Sequence, residues 1–497
     1  SSDVCSSDLL LGAVLGTGGA GCGEPTEPAG EEADRPLGDS ALDRGDGPGD
    51  DRGDGLAVES DAAALEVAEE VSGTETPVAA PYWPHGVDQG TVDPDRRFRA
   101  LIVLQLRNKA ELEDRIAAMY SPASSQFRQY MTFTEFMDRH APTLTTLNAV
   151  KGWLSDQGFE VTRTARNRLV LGYTGTVRQF NAAFGTRLHL VKRSSGTWRA
   201  ASYAPLTSLD VPDALVGKIR RLLMPDPEAA TGTLSRDTAP VVTSKPSNVG
   251  DHLTPQQIAR AYGMSSLYVK GYRGAGLTLG IIGATLFKVS DLQSMWQAFG
   301  IRRADPIVVQ TMEPIITRDL EATLDVELAG AIAPGAEIVY YGGPDNSDTS
   351  LLYTFNEAIG AARAQVLSDS FAHSEYTTPY PVARAYNESA MMAAALGITV
   401  LSASGDSAQV DVPSDAPYVT AVGGTNIDLT ADGYWESERS WGLSGCGRSR
   451  LFALPAWQSG AYGDARGLRT AADVSTVVGP YWVKYLSQTP ALPPRPS

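Results

Sequence analysis

The sequence predicts an α/β protein whose main unit is a doubly wound parallel sheet, preceded by a smaller α+β unit. Three observations carry that expectation. Between residues 277 and 402 short, nearly all-apolar runs alternate with stretches of helical periodicity, the pattern of parallel strands covered on both faces by helices. Between residues 97 and 224 the strand and helix patterns instead suit helices packed on one face of an antiparallel sheet. At 497 residues the chain is also too long for one ordinary core, so two folded units with tails are expected.

Composition narrows the partners. A net charge of −17 argues against nucleic acid and suits an extracytoplasmic protein. The three cysteines, Cys5, Cys22 and Cys446, are too few and too scattered for a disulfide framework or a zinc site. Residues 9–21 are small and apolar and end in Gly19-Ala-Gly-Cys22, which reads as the core and cleavage region of a secretory signal. Cys22 resembles the lipidated cysteine of a bacterial lipoprotein, so residues 1–23 imply export with a lipid tether to a membrane. Residues 24–85 are rich in Asp, Glu, Gly and Pro and have too little apolar surface to offset their ordering entropy, so they read as a solvated tether.

In the first folded unit, residues 86–224, strands are expected over 98–106, 159–164, 168–173 and 186–191, and helices over 110–119, 144–157 and 177–184. Residues 225–250 are rich in Pro, Ser and Thr and read as a linker. The second unit spans residues 251–475. Strands are expected there at 277–283, 307–310, 337–341, 365–370 and 398–402, with helices at 292–299, 321–333, 351–363 and 383–397. Sites in such folds lie at the carboxyl ends of the strands.

One helix is chemically conspicuous. Glu321 and Asp325 are one turn apart in Leu320-Glu-Ala-Thr-Leu-Asp-Val-Glu-Leu-Ala-Gly-Ala-Ile332, on a stripe that continues as Leu328 and Ile332. They therefore face inward. Like charges at that spacing repel by about 0.2–0.5 kcal/mol on an exposed helix, and burial makes ionising both harder, so a shared proton or a raised pKa is expected. Such a pair is a candidate for proton transfer. A helix N-terminus that simply favours acids is the competing reading, and the pair alone does not choose between them. Asp406 follows the strand ending in Ser402-Ala-Ser-Gly-Asp406, which puts a third acid at a carboxyl end.

Several segments resemble one family. Ser121-Pro-Ala-Ser-Ser-Gln-Phe-Arg-Gln-Tyr130, Met131-Thr-Phe-Thr-Glu-Phe136, Ala141-Pro142, Trp153-Leu154, Gly158 and Ala183-Phe-Gly-Thr-Arg-Leu188 resemble, in order, the activation prodomain of the sedolisin (serine-carboxyl) peptidases, kumamolisin branch. Leu253-Thr-Pro-Gln-Gln-Ile-Ala-Arg-Ala-Tyr262 resembles the start of the catalytic domain. The resemblance implies a subtilisin-like α/β catalytic domain behind a ferredoxin-like prodomain that binds it intramolecularly, with processing in the linker. It implies protein or peptide substrates and acid-acting hydrolysis through an acyl-enzyme. In those terms Glu321 is the general base, Asp325 orients it, and Asp406, followed by Val419-Thr-Ala-Val-Gly-Gly-Thr425, is the oxyanion acid. The Asp and His that a subtilisin would need are missing, since the first core strand ends in Gly283-Ala284 and no His-Gly-Thr occurs.

The nucleophile is the departure. Ser444-Gly-Cys-Gly-Arg-Ser449, Pro455-Ala-Trp-Gln458 and Arg469-Thr-Ala-Ala-Asp-Val-Ser475 resemble segments that precede it, with Cys446 in place of a glycine, Ala472 in place of a proline and Phe371 where the family has a tryptophan. No Gly-Thr-Ser occurs in the chain, and residues 476–497 do not match. The expectation is a catalytic domain interrupted or frame-shifted after Ser475, without its last strand and helix and without the family's calcium-binding loops. The alternatives are an inactive pseudopeptidase acting as a binding or inhibitory protein, or a surface module whose acids are structural.

Overall fold

A computed structural model describes residues 86–195, 198–205, 209–223, 226–227, 253–312, 320–376, 378–459, 467–479 and 481. The expected signal segment with Cys22, the tether, most of the linker and most of the C-terminal tail lie outside the described residues.

The first unit contains β1 (Gly86–Thr91), β2 (Arg97–Leu104), α1 (Lys109–Tyr120), α2 (Phe133–Arg139), α3 (Leu144–Asp156), β3 (Glu160–Thr164), β4 (Val170–Thr176), α4 (Val177–Ala183), β5 (Leu188–Ser195), β6 (Trp198–Pro205), β7 (Ile219–Leu222) and β8 (Asp226–Pro227). Strands β3-β4-β2-β7 form an antiparallel sheet, with β8 also on β2, and β1-β5-β6 form a second. Local chemistry sets the boundaries. Thr132 and Thr143 cap α2 and α3, and Thr176 and Gln179 make a reciprocal capping box on α4. The expected strands and helices are present, together with α2, β1, β6, β7 and β8, which the periodicity did not give.

The second unit contains α5 (Pro255–Ala261), α6 (Met264–Val269), β9 (Thr278–Gly283), α7 (Val289–Ala298), β10 (Ile307–Gln310), α8 (Leu320–Ile332), β11 (Glu337–Gly342), α9 (Asp348–Gly360), β12 (Val366–Asp369), β13 (His373–Ser374), α10 (Tyr380–Ala395) and β14 (Thr399–Ala403). Strands β15 (Asp411–Val412), β16 (Thr420–Leu429), β17 (Trp435–Ser440), β18 (Gly447–Ala453), β19 (Leu468–Ala471) and β20 (Val474–Val477) follow. The main sheet has the order β10-β11-β9-β12-β14-β16-β17, parallel through β16 and antiparallel at β17. Helices α7 and α8 pack in one apolar cluster, and α9 and α10 in another, so both faces are covered. This is the α/β architecture the alternation predicted. Three strands join the five expected: β16 beside β14, β17 antiparallel to β16, and β20, which pairs in parallel with β16 from Val422–Val474 to Thr425–Val477.

The two units share a core. Leu101, Val103, Leu112, Ile116, Met119 and Phe136 belong to the same buried cluster as α9 and α10. Polar contacts fix the register of that packing: Arg99 pairs with Asp345 at 2.6 Å, Arg220 and Arg221 with Glu388 at 3.1 and 3.5 Å, and Asn167 donates to a buried Asn356 at 2.9 Å. Buried polar groups that are satisfied in this way specify one docking arrangement more than they add raw stability.

Candidate active site

Helix α8 begins at the carboxyl edge of the sheet and carries the acid pair in its first two turns. Glu321 is 6% exposed and Asp325 1% exposed. The sequence placed them inward on an apolar stripe. A stripe is not the reason: every residue from Glu321 to Ile332 is buried, so α8 is a central helix with no solvent face. The acids face the interior because the whole helix is enclosed. The same helix buries a third acid, Glu327, which the stripe argument passed over.

The neighbouring strands explain how the pair is held. Strand β12 lies between β9 and β14, with Asp369 in register with Ser402. One residue beyond β12, the buried Ser370 hydroxyl donates to Asp325 Oδ1 at 3.0 Å. An acceptor left unmade at such a depth would cost about 1–3 kcal/mol. The contact ties α8 to the end of β12, immediately beside the end of β14, and β14 leads to Asp406. All three sequence-predicted acids thus belong to one edge of the sheet.

The Asp406 turn depends on close backbone approach. Gly405 has φ +114°, and a Cβ there would meet Asp411 Oδ2 at 2.3 Å, so only glycine fits. Gly445 N donates to Gly405 O at 2.6 Å and Ala408 N to Leu443 O at 2.9 Å, clamping the turn. Asp406 itself is half-buried. The exposed Cys446 adjoins this clamp as a free thiol.

More titratable groups line the same edge than the sequence revealed. Asp369 is buried, accepts from Phe371 N at 3.1 Å, and is pushed up to about 7 by desolvation, against the pull of that amide and of His373. His373 Nδ1 lies 2.8 Å from Asp348 Oδ1 at the start of α9. His373 is thus part of this cluster. Position alone could have flagged Asp369 and Ser370, since both sit at the carboxyl end of a core strand.

Among the described residues no group of three or more His, Cys, Asp or Glu side chains is arranged to hold a metal ion.

An α/β sheet covered on both faces, with buried acids at its carboxyl edge and a smaller unit docked on two of its helices, has the build of a subtilase-type peptidase with an attached N-terminal unit. Comparison with known proteins agrees. Residues 84–222 match the family described as Pro-kumamolisin, activation domain, and residues 313–477 match the Subtilase family. The chain is 29% identical to kumamolisin of Bacillus sp. strain MN-32 over 416 residues, covering 76% of this chain and 72% of that protein. It is 26% identical to xanthomonalisin of Xanthomonas sp. strain T-22, covering 74% of this chain and 52% of that protein. It is also 26% identical to tripeptidyl-peptidase 1 of Bos taurus, covering 87% and 76%. These matches support a sedolisin-family peptidase with a Pro-kumamolisin activation domain over residues 84–222. The subtilase likeness, set aside on the missing histidine, is present at the level of the fold.

Proposed function

We propose that the protein is the pro-form of an acid-acting serine-type endopeptidase in which Glu321 is the general base, Asp325 orients it and Asp406 stabilises the oxyanion. The observation that carries this reading is the Ser370–Asp325 hydrogen bond, which brings the acid helix to the strand end adjoining the Asp406 turn. In the reaction a serine hydroxyl attacks the scissile carbonyl carbon and its proton passes to Glu321. The same proton then goes to the leaving amine, and water hydrolyses the acyl-enzyme with Glu321 again as base. A carboxylate of ordinary pKa near ~4 stays usable as a base where an imidazole of pKa about 6.5 would be protonated. Asp406 donates to the oxyanion only while it is itself protonated, which sets the same acid range.

The serine is the open assignment, because no Gly-Thr-Ser turn occurs in the sequence. That absence favours a second reading, a pseudopeptidase that binds through its activation domain. The first reading takes the nucleophile from coding sequence outside these residues and calcium from the same region. It also takes the extracytoplasmic location and a lipid on Cys22 from the signal-like N-terminus. Protein produced from its own gene in a secreting host and brought to acid should hydrolyse an unfolded protein substrate. Glu321→Gln protein that hydrolyses it equally well would remove Glu321 from the mechanism.

A further inference from the structure

A second pair of buried acids lies outside the site described above. Glu375 follows β13 and is 4% exposed; Asp415 follows β15 and is fully buried. Glu375 Oε1 accepts from Ser449 Oγ at 2.5 Å and Oε2 from Arg450 N at 2.8 Å, both on β18. Asp415 has no such donors. Neither of its oxygens accepts a hydrogen bond from any N–H or O–H of the described residues, and the Glu375 carboxyl is the group set against it. Two carboxylates cannot make that contact, because neither has a hydrogen to give.

The surrounding charges do not relieve the pair. Asp411 on β15 is a third acid near Asp415 and opposes its ionisation. Arg469 on β19 is the cation closest in effect, but its guanidinium is engaged by Asp473 at 2.7 and 2.5 Å and by the carbonyls of Ser414 and Val419. Arg450 contributes its backbone N–H to Glu375 and places its guanidinium over the Tyr376 ring. Full ionisation would therefore bury adjacent negative charges with one already committed arginine beside them, which is prohibitive at such depth.

We propose that Glu375 and Asp415 share one proton, and that this carboxyl–carboxylate clasp holds the β13, β15 and β18 segments together in acid and releases them as the proton is lost. Burial first, and then the Glu375 charge, push the Asp415 carboxyl well above its ordinary range, in keeping with its being the protonated partner. The segments so joined flank the acid edge: β13 begins three residues after Ser370, and β15 begins five residues after Asp406. The clasp does not depend on whether the chain cleaves peptide bonds.

The sign of the effect follows from linkage. A carboxyl whose folded pKa is raised contributes its full stability below the unfolded value, about 3.9, and loses it as pH rises toward the folded value. The test is equilibrium urea unfolding of the full chain at a series of pH values, comparing wild type with Asp415→Asn. The asparagine amide can donate to a Glu375 carboxylate at any pH. The wild-type unfolding constant should rise relative to that of the variant by up to tenfold per pH unit above about pH 4. Charge repulsion and other buried acids act on both proteins and cancel. Parallel pH profiles would overturn the proposal. If Asp415→Asn does not fold, Glu375→Gln gives the same comparison. Infrared spectroscopy gives a second readout, since a protonated-carboxyl band at neutral pH should be present in wild type and diminished in either variant; an unchanged band would contradict the shared proton.

Discussion

Ser370 and Asp325 are 45 residues apart in the chain, and the serine hydroxyl donates to the aspartate carboxylate at 3.0 Å. That bond joins a strand end to a buried helix and ties the sheet to the acid pair. Ser370→Ala should cost about 1–3 kcal/mol by leaving Asp325 Oδ1 without that donor. In an active form it should slow turnover on the order of tenfold through misorientation of Glu321. Ser370→Thr, which keeps a hydroxyl, should recover most of the rate. Comparing kcat for the three proteins checks this, and equal kcat values would remove Ser370 from the positioning role.

Asp369 gives a stability prediction with a defined window. Its carboxyl is raised to about 7 by burial, so it stabilises fully below the unfolded value near ~3.9 and progressively less up to about pH 7. The loss is on the order of 4 kcal/mol across that range. Asp369→Asn keeps an oxygen for the Phe371 amide and should flatten this part of the pH–stability curve. Urea midpoints measured between about pH 4 and about pH 8 would show it.

The docked units should loosen in acid. Burial alone pushes Asp345 up, but Arg99, at 2.6 Å, together with the hydroxyls of Ser347 and Ser350, holds it below its ordinary range. A depressed carboxyl contributes its stability above the unfolded value and loses it as pH falls through the folded one. Hydrogen-exchange protection in β2 and at the start of α9, relative to the intrinsic rate at each pH, should therefore fall in acid below about pH 4. In Asp345→Asn exchange should be faster at neutral pH and less dependent on acid. An unchanged pH dependence in the variant would show that this pair does not govern docking.

Much of this was legible in the sequence because periodicity reports burial. The run Ile307–Gln310 was placed to the residue, and the α/β alternation from β9 to β14 was recovered with ends shifted by a few positions at most. Part of what was missed lacks an apolar signature. Strand β17, Trp435–Ser440, is mostly exposed and polar, and is held by pairing with β16 and by Ser437 and Arg439 on Asp428. Helix α8 was found, but its uniform burial reads locally like a stripe. The Ser370–Asp325 and Glu375–Asp415 contacts join residues far apart in sequence, and no local pattern encodes such meetings.

The central claim is that Glu321 acts as a base in acid. It is tested most directly by producing the protein from its own gene, bringing it to about pH 4, where carboxyl groups titrate, and sequencing the new N-termini over time. The account predicts cleavage within residues 225–250 in wild type and none in Glu321→Gln. Cleavage of Glu321→Gln at the wild-type rate would contradict it.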